Sequence, residues 1–264
     1  MVCKTGKDLL GEGLIKTMLA EGVYTRHVVR DSAVHTGLAL ASIDRKGDSS
    51  YVFYKTSGPQ LRLGSKMPPS SLFKNASILH TGSAYSYDDY SHDDTLLFIE
   101  KARRNKVFTT YDPNWRPGRI KKTDLARKRI KKILERIDLL KLNDTDAVGI
   151  TACRTLKSAI KRLPPGTFIT LGADGSLFWS GSKTYYHPAF RVKVKDTIGA
   201  GDAYTAGLIY MLRKKGVDRF YEDPLEVMGF ASGVAALVCS GKGALEGLRS
   251  LAQVASFIRD NTPR

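Results

Sequence analysis

The sequence predicts an α/β fold, with a mainly parallel sheet covered by helices on both faces. Three observations carry this reading. Strand-like and helix-like segments alternate from Ala76 to the end of the chain. Within the helix-like segment from Thr123 to Arg136 and just beyond it, Ile130, Ile133, Leu134 and Ile137 recur at i, i+3, i+4 and i+7, so one face packs on a sheet. The 264 residues, 42% hydrophobic and 26% charged, suffice for a large core and show no repeat, low-complexity tract or linker. One domain over 1–264 is expected.

The elements follow in order. Leu9, Leu10, Leu14 and Met18 predict a short helix from Asp8 to Ala20. Val34 to Ile43 and Ser50 to Tyr54 are strand-like and joined by a turn at Lys46-Gly47-Asp48. Ala76 to Leu79 is a brief strand that runs into His80-Thr81-Gly82-Ser83. A helix from about Asp93 to Arg103, a strand at Val107 to Tyr111, the helix opened by Thr123 and Asp124, and a strand at Leu139 to Leu142 come next. Thr167 to Leu171 is a further buried strand, and Leu177 to Trp179 opens a hairpin. Two apolar helices, about Gly201 to Arg213 and Leu225 to Val238, precede a last one near Leu251 to Ile258.

Composition narrows the function classes. No apolar run approaches the roughly 18 residues of a membrane span, and Met1 opens no secretory signal. Cys3, Cys153 and Cys239 are odd in number and widely spaced, which suits free thiols in the cytoplasm better than disulfides or zinc. Cys239, after an apolar helix, is expected to be buried rather than reactive. The net charge of +16 raises the question of a polyanion partner. Much of the excess lies from Lys101 to Arg136, with 14 basic and three acidic residues. Within the helix from Thr123 to Arg136 the basic residues occupy the outer face, opposite an apolar one, with no stacking aromatics between them, so a solvated surface is expected and nucleic acid is not.

The most informative stretch is Lys195-Asp196-Thr197-Ile198-Gly199-Ala200-Gly201-Asp202, just before an apolar helix. Small residues let backbone N–H groups approach an anion, and the helix N-terminus adds partial positive charge. A carboxylate beside a bound phosphate makes chemical sense if it handles a proton or holds a metal. Alone, the same residues also describe a glycine turn with an acid stabilising the helix start.

The order of further blocks decides between these readings. Asp196-Thr197-x-Gly199-Ala200-Gly201-Asp202 resembles the C-terminal motif of the ribokinase-like (PfkB-type) carbohydrate kinases. Lys141-Leu142-Asn143-Asp144-Thr145-Asp146 is similar to that family's Asn-x-x-Glu segment, with Asp146 in place of Glu. Thr170-Leu171-Gly172-Ala173-Asp174-Gly175 resembles its nucleotide strand and turn. Lys242-Gly243-Ala244, after the small-residue helix with Ala231, Ser232, Gly233, Ala235 and Ala236, is similar to its adenine wall. Gly6-Lys7-Asp8-Leu9-Leu10-Gly11 and Asp112-Pro113-Asn114-Trp115-Arg116 point to the branch of fructokinases and 2-keto-3-deoxygluconate kinases. The resemblance covers essentially the whole chain.

That resemblance implies a ribokinase-like three-layer sandwich with a small β lid, whose strands fall at about 33–57. It implies transfer of the γ-phosphate of ATP to a sugar hydroxyl, with Mg²⁺ required. Asp202 would be the general base, and the amides of Gly199, Ala200 and Gly201 would stabilise the transferring group. Asn143 and Asp146 would organise Mg²⁺ and phosphate through water. Thr170, Gly172, Gly175, Gly243 and Ala244 would line the nucleotide. Asn114, Arg116, Tyr54 and Lys55 would face the acceptor, with Tyr54 and Lys55 on the lid; a surface ion pair for Arg116 and an exposed β-edge for the lid pair are the structural alternatives. Asp196 and Thr197 correspond to a monovalent-cation site for K⁺, and a homodimer is compatible with the family. Fructose is the first expected acceptor and 2-keto-3-deoxygluconate the alternative. Relatives carry a first strand with a substrate-binding Asp and a Gly-Gly-x-x-x-Asn motif before the Gly6 block. Neither occurs here, so the lid is expected to be partly missing and a catalytically impaired nucleotide-binding relative is the other alternative.

Overall fold

The computed structural model describes residues 1–43, 49–54, 62–63, 67–116, 120, 122–261 and 263. β1 (Val2–Gly6) and β2 (His27–Asp31) pair in parallel, connected through α1 (Leu9–Ala20). Neither strand is signalled by the apolar patterning, because both are short and only half buried. One carboxylate ties this region together. Asp8 caps α1 by accepting from the Gly11 amide at 2.8 Å, and it accepts from the Thr36 amide at 2.8 Å and hydroxyl at 2.7 Å. The Thr36 hydroxyl also accepts from the Gly6 amide at 3.0 Å. With Thr36 engaged this way, the ribbon of β3 (Leu38–Ile43) and β4 (Ser49–Tyr54) begins at Leu38, four residues later than Val34. The expected turn at Lys46-Gly47-Asp48 lies outside the described residues.

After the short α2 (Ser71–Lys74) the central sheet begins with β5 (Ile78–Gly82), two residues beyond the expected start. α3 (His92–Arg104), β6 (Phe108–Asp112), α4 (Thr123–Leu134) and β7 (Leu139–Asn143) alternate as the sequence predicts. α5 (Asp144–Thr151) and α6 (Leu156–Ile160) lead to β8 (Thr167–Thr170), followed by the hairpin β9 (Ser176–Trp179) and β10 (Thr184–His187). The chain ends in α7 (Ala200–Lys215), α8 (Val217–Glu222), α9 (Pro224–Cys239), α10 (Gly243–Glu246) and α11 (Leu251–Asp260). The sheet order is β10-β9-β8-β7-β6-β5, with β5 to β8 parallel and the last two strands antiparallel.

Strand alternation divides the side chains into two cores. Tyr111, Leu140, Leu142 and Ile169 face α3 to α6, where they meet Ile99, Ile130, Ile133, Ala147 and Ile160. Leu139, Phe168 and Phe178 face the other way, onto Leu208 and Met211 of α7, Phe220 of α8, and Val227 and Met228 of α9. These are the three layers. On the α7 face the same period of two sets Asp112, Asn143 and Thr170 at the carboxyl ends of β6, β7 and β8, with Lys141 two residues before Asn143. Open α/β sheets bind ligands at that edge. The basic residues Lys128, Lys131 and Lys132 of α4 are exposed, opposite its buried Ala126, Ile130 and Ile133. No helix among the described residues is long and apolar enough to cross a membrane.

α7 and α9 pack most intimately at Gly207, where an added Cβ would stand 2.7 Å from the Ala231 Cα. Backbone cannot yield there without moving a helix. We expect Gly207→Ala to lower the unfolding free energy, because an overpacking cost of about 1–3 kcal/mol exceeds the ~1 kcal/mol that alanine gains in a helix. An unchanged urea midpoint would show that the helices separate freely.

The amide and hydroxyl donors on Asp8 push its carboxyl down to about 2. A depressed carboxyl stabilises the fold above its unfolded pKa and loses that contribution as pH falls toward the folded value. Asp8→Asn should therefore be less stable than the parent at neutral pH and lose less stability between about pH 4 and pH 2. Parallel acid-unfolding curves for the two proteins would contradict this.

Candidate active site

A cleft of about 720 Å³ opens at the carboxyl edge of β6 to β8, between the strand ends and the start of α7. Its floor is electrostatic. The Lys141 ammonium lies 2.9 Å from Asp112 Oδ2, with the two side chains 6% and 12% exposed. Asp112 Oδ1 accepts from the Asn114 amide at 3.0 Å, so both carboxylate oxygens are engaged. Asn114 adopts a φ of 46°, a conformation in which this short side chain is tolerated better than most.

Asn143 ends β7 and caps α5, accepting from the Asp146 amide at 2.6 Å, yet it also lines the cleft. The cap and the site are one feature. Asp146, 3% exposed, accepts from the Trp115 amide at 3.2 Å. Burial, then the nearby Asp112 carboxylate, pushes its carboxyl up to about 7, against the Trp115 amide, Arg116 and Lys141. Arg116 and Asn114 stand on the same wall of the cleft. His80 bonds to Thr110 Oγ1 at 2.9 Å; desolvation lowers its pKa while the carboxylates of Asp112 and Asp202 oppose that shift.

The opposite wall is the start of α7. Gly199, with φ 81°, is the residue before the helix and provides no side-chain cap. An added Cβ there would stand 2.8 Å from the Ala244 Cβ, so glycine allows the two turns to close on each other. The Ala200 amide bonds to the Thr197 carbonyl at 3.2 Å, whereas the amides of Gly201 and Asp202 have no acceptor among the described residues. Those two donors are open to an anion. The exposed Asp202 carboxylate stands in the first turn on the cleft wall.

Asp196 is 6% exposed and holds the loop before α7 to the turn after α9. Its carboxylate accepts from the Ile198 amide at 2.9 Å and the Gly243 amide at 2.8 Å, which hold the carboxyl below the usual range. Thr197 lines the cleft. Further along, Thr170, Gly172 and Gly175 line it, as do Ser232, Ala235, Ala236 and Cys239 of α9. Gly175, at φ 108°, is the position where a Cβ would collide with the His187 carbonyl. Cys239 is half-buried on the cleft wall rather than enclosed, and burial raises its thiol pKa.

Gly243 and Ala244 lie behind this wall, against Asp196 and Gly199. Tyr54 is exposed on β4 and does not line the cleft, and Lys55 lies outside the described residues. Lys141 and Asp112 lie within the sequence motifs, where no role is expected of either, and both line the cleft. A lysine between two leucines in a buried strand was the available signal.

Known proteins resemble this chain in sequence and in fold. A model of the family described as pfkB family carbohydrate kinase matches residues 1–251. Fructokinase-1 of Zea mays is 27% identical over 263 residues, covering 97% of this chain and 81% of that protein. The probable fructokinase-5 of Arabidopsis thaliana is 25% identical, covering 98% of this chain and 82% of its own length. Among solved structures, fructokinase with bound ATP from Xylella fastidiosa superposes with a TM-score of 0.86 at 26% identity, over 98% of this chain and 84% of that one. The Vibrio cholerae fructokinase crystallised with fructose, ADP and calcium shares the fold at a TM-score of 0.86 and 23% identity, over 97% and 84% of the two chains. With a six-stranded sheet between two helical layers, the glycine-opened α7 and a family match across most of its length, the chain belongs to the pfkB family of carbohydrate kinases.

Proposed function

We propose that the chain, acting as one kinase unit over 1–264, transfers the γ-phosphoryl group of ATP to a hydroxyl of fructose. The observation that carries this reading is the first turn of α7, where an exposed carboxylate stands beside two amides without acceptors among the described residues. The fructokinases of Zea mays and Arabidopsis thaliana, aligned over nearly the whole chain, support fructose as the acceptor.

In this mechanism Asp202 takes the proton of the attacking hydroxyl. A carboxylate is a weak base, but phosphoryl-transfer transition states are loose, so deprotonation is late and positioning dominates. The amides of the Gly199-Ala200-Gly201 turn, above all those of Gly201 and Asp202, receive charge from the transferring group. Thr170, Gly172, Gly175 and the α9 wall hold the nucleotide, with Gly243 and Ala244 supporting Gly199 from behind. Asn114 and Arg116, which line the cleft, would face the acceptor, and Tyr54 is assigned to the lid ribbon.

The residues present fit a metal held mainly by substrate. Among the described residues no three His, Cys, Asp or Glu side chains converge as a ligand set. Mg²⁺ suits such a site, because it keeps several waters and is bound by one or two carboxylates plus phosphates. Asn143 and Asp146 would hold it through water, and Mg²⁺ would supply neutralisation of charge on the phosphates. Asp196 and Thr197 are assigned to a K⁺ site.

The exposed apolar face formed by Leu38, Leu40, Val52 and Tyr54 on the β3–β4 ribbon supports a homodimer. Free thiols at Cys3, Cys153 and Cys239 support a cytoplasmic location.

Asp202→Asn keeps the shape and removes the base, so turnover with fructose should fall about 10²–10⁴-fold. Its affinity for ATP, read by calorimetry, should change little. Full activity in this variant would overturn the assignment of the base. Turnover should also stop when EDTA exceeds Mg²⁺ and return on adding Mg²⁺ back; robust transfer in excess EDTA would contradict the role given to the metal.

A further inference from the structure

We propose that Lys141 is a further catalytic residue of this reaction: its ammonium, held by Asp112 against the first turn of α7, contacts the phosphoryl group during transfer. The inference rests on the kinase reading above.

Burial comes first. Lys141 lies in the middle of β7 and is 5% exposed. Lysine is almost never buried without a partner, and a buried ion pair is weak evidence for stability because an apolar pair of similar volume folds as well or better. Its neighbours on the same face obey that rule: Leu139, two residues earlier, and Phe168, opposite it on β8, are buried in the apolar core beneath α7. The fold alone therefore does not call for a lysine here.

Direction comes second. The Asp112 carboxylate accepts one of the three N–H bonds that an ammonium can donate. Among the described residues Lys141 has no other hydrogen-bond acceptor. Asp112 is itself fixed through Oδ1 by the Asn114 amide, so the ammonium is anchored rather than swinging on its stem. Nζ stands 3.1 Å from the place a Cβ on Gly201 would occupy. Glycine at that position lets the ammonium reach the helix start.

The surroundings come third. Lys141, Gly201 and Asp202 line one cleft, and the amides of Gly201 and Asp202 lack acceptors among the described residues. A full positive charge thus stands beside two unpaired N–H donors and the helix dipole, all fixed before any ligand arrives. During transfer the bond from the γ-phosphorus to the ADP oxygen breaks as the bond to the sugar oxygen forms. The hydroxyl proton passes to Asp202, and ADP leaves with the electron pair of the broken bond. Negative charge is spread over the equatorial oxygens of the moving group, where a preorganised cation is most effective. Asp112 acts through Lys141 and is a positioning residue.

The test separates this role from a structural ion pair. Lys141→Met keeps the stem but strands Asp112, so the double variant Lys141→Met/Asp112→Asn is made with it, removing both charges together. We expect the double variant to unfold near the parent's midpoint and still turn fructose over about 10²–10³-fold more slowly at saturating substrates. Calorimetry in Mg²⁺ should show ADP bound about as tightly as by the parent, and the preference for ATP over ADP reduced about tenfold. Lys141→Arg, which keeps the charge, should recover part of that preference. A double variant with the parent's turnover and the parent's ATP-to-ADP ratio would overturn the proposal, as would equal weakening of both nucleotides. If the parent itself phosphorylates no fructose, the assigned acceptor reaction fails, and the ATP-to-ADP ratio still decides the role of Lys141.

Discussion

The N-terminal half of α7 approaches its neighbours more closely than side chains allow, and the candidate site depends on that. Gly199 admits Ala244, Gly201 admits the Lys141 ammonium and Gly207 admits the backbone of Ala231, with added Cβ atoms falling at 2.8, 3.1 and 2.7 Å from these neighbours. Gly199 and Gly207 seat the start of α7 against α10 and α9, and Gly201 leaves room there for the ammonium that rises from β7. The open amides, the Asp202 carboxylate and the Lys141–Asp112 pair then share one cleft. A larger residue at Gly199 or Gly207 would push the helix away from the backbone it packs on, and one at Gly201 would displace the Lys141 ammonium. Glycine here costs conformational entropy, which the close packing offsets.

Within that cleft opposite charges are arranged in depth. Lys141 and Asp112 are buried at the floor, Asp146 is buried on the wall beside them, and Asp202 is exposed to the cleft. The buried groups stay where backbone amides hold them: Asn114 on Asp112, Trp115 on Asp146. Both amides come from the residues just after β6, so the Asp112-Pro113-Asn114-Trp115-Arg116 segment works chiefly by organising carboxylates. Asp196 does the same on the other side, joining the loop before α7 to the turn after α9 through two amides. Electrostatic preorganisation of this kind is set when the chain folds and needs no rearrangement during a reaction.

The N-terminal region follows a different logic. Asp8 draws α1 and Thr36 together, while the apolar residues of α1 and of the β3–β4 ribbon remain at the surface: Leu9, Leu14, Leu40 and Val52 are exposed. Polar tethers rather than a core define this part of the molecule, which is why hydrophobic periodicity located α1 but gave no sign of β1 or β2.

What the sequence determined by itself was the alternation of strands and helices from β5 onward, the face that α4 buries, and the order of the motifs along the chain. Those features are local: a period of 3.6 or 2, a glycine before a helix, a short polar run after a strand. The glycines just before α7 mark Asp202 locally, whereas Asn143 stands out only through the resemblance of its segment to the family's motif. Only the tertiary structure decided what met across the cleft. Asp112 and Lys141 are 29 positions apart, and Asp196 reaches a partner 47 positions away. Lys141 between two leucines reads as an irregularity in a strand until the register of β6 against β7 and the absence of a side chain at Gly201 put its ammonium at the start of α7. Periodicity specifies which face a residue takes, but the partner on that face comes from strand register and helix approach, and those are settled by the packing of the whole chain.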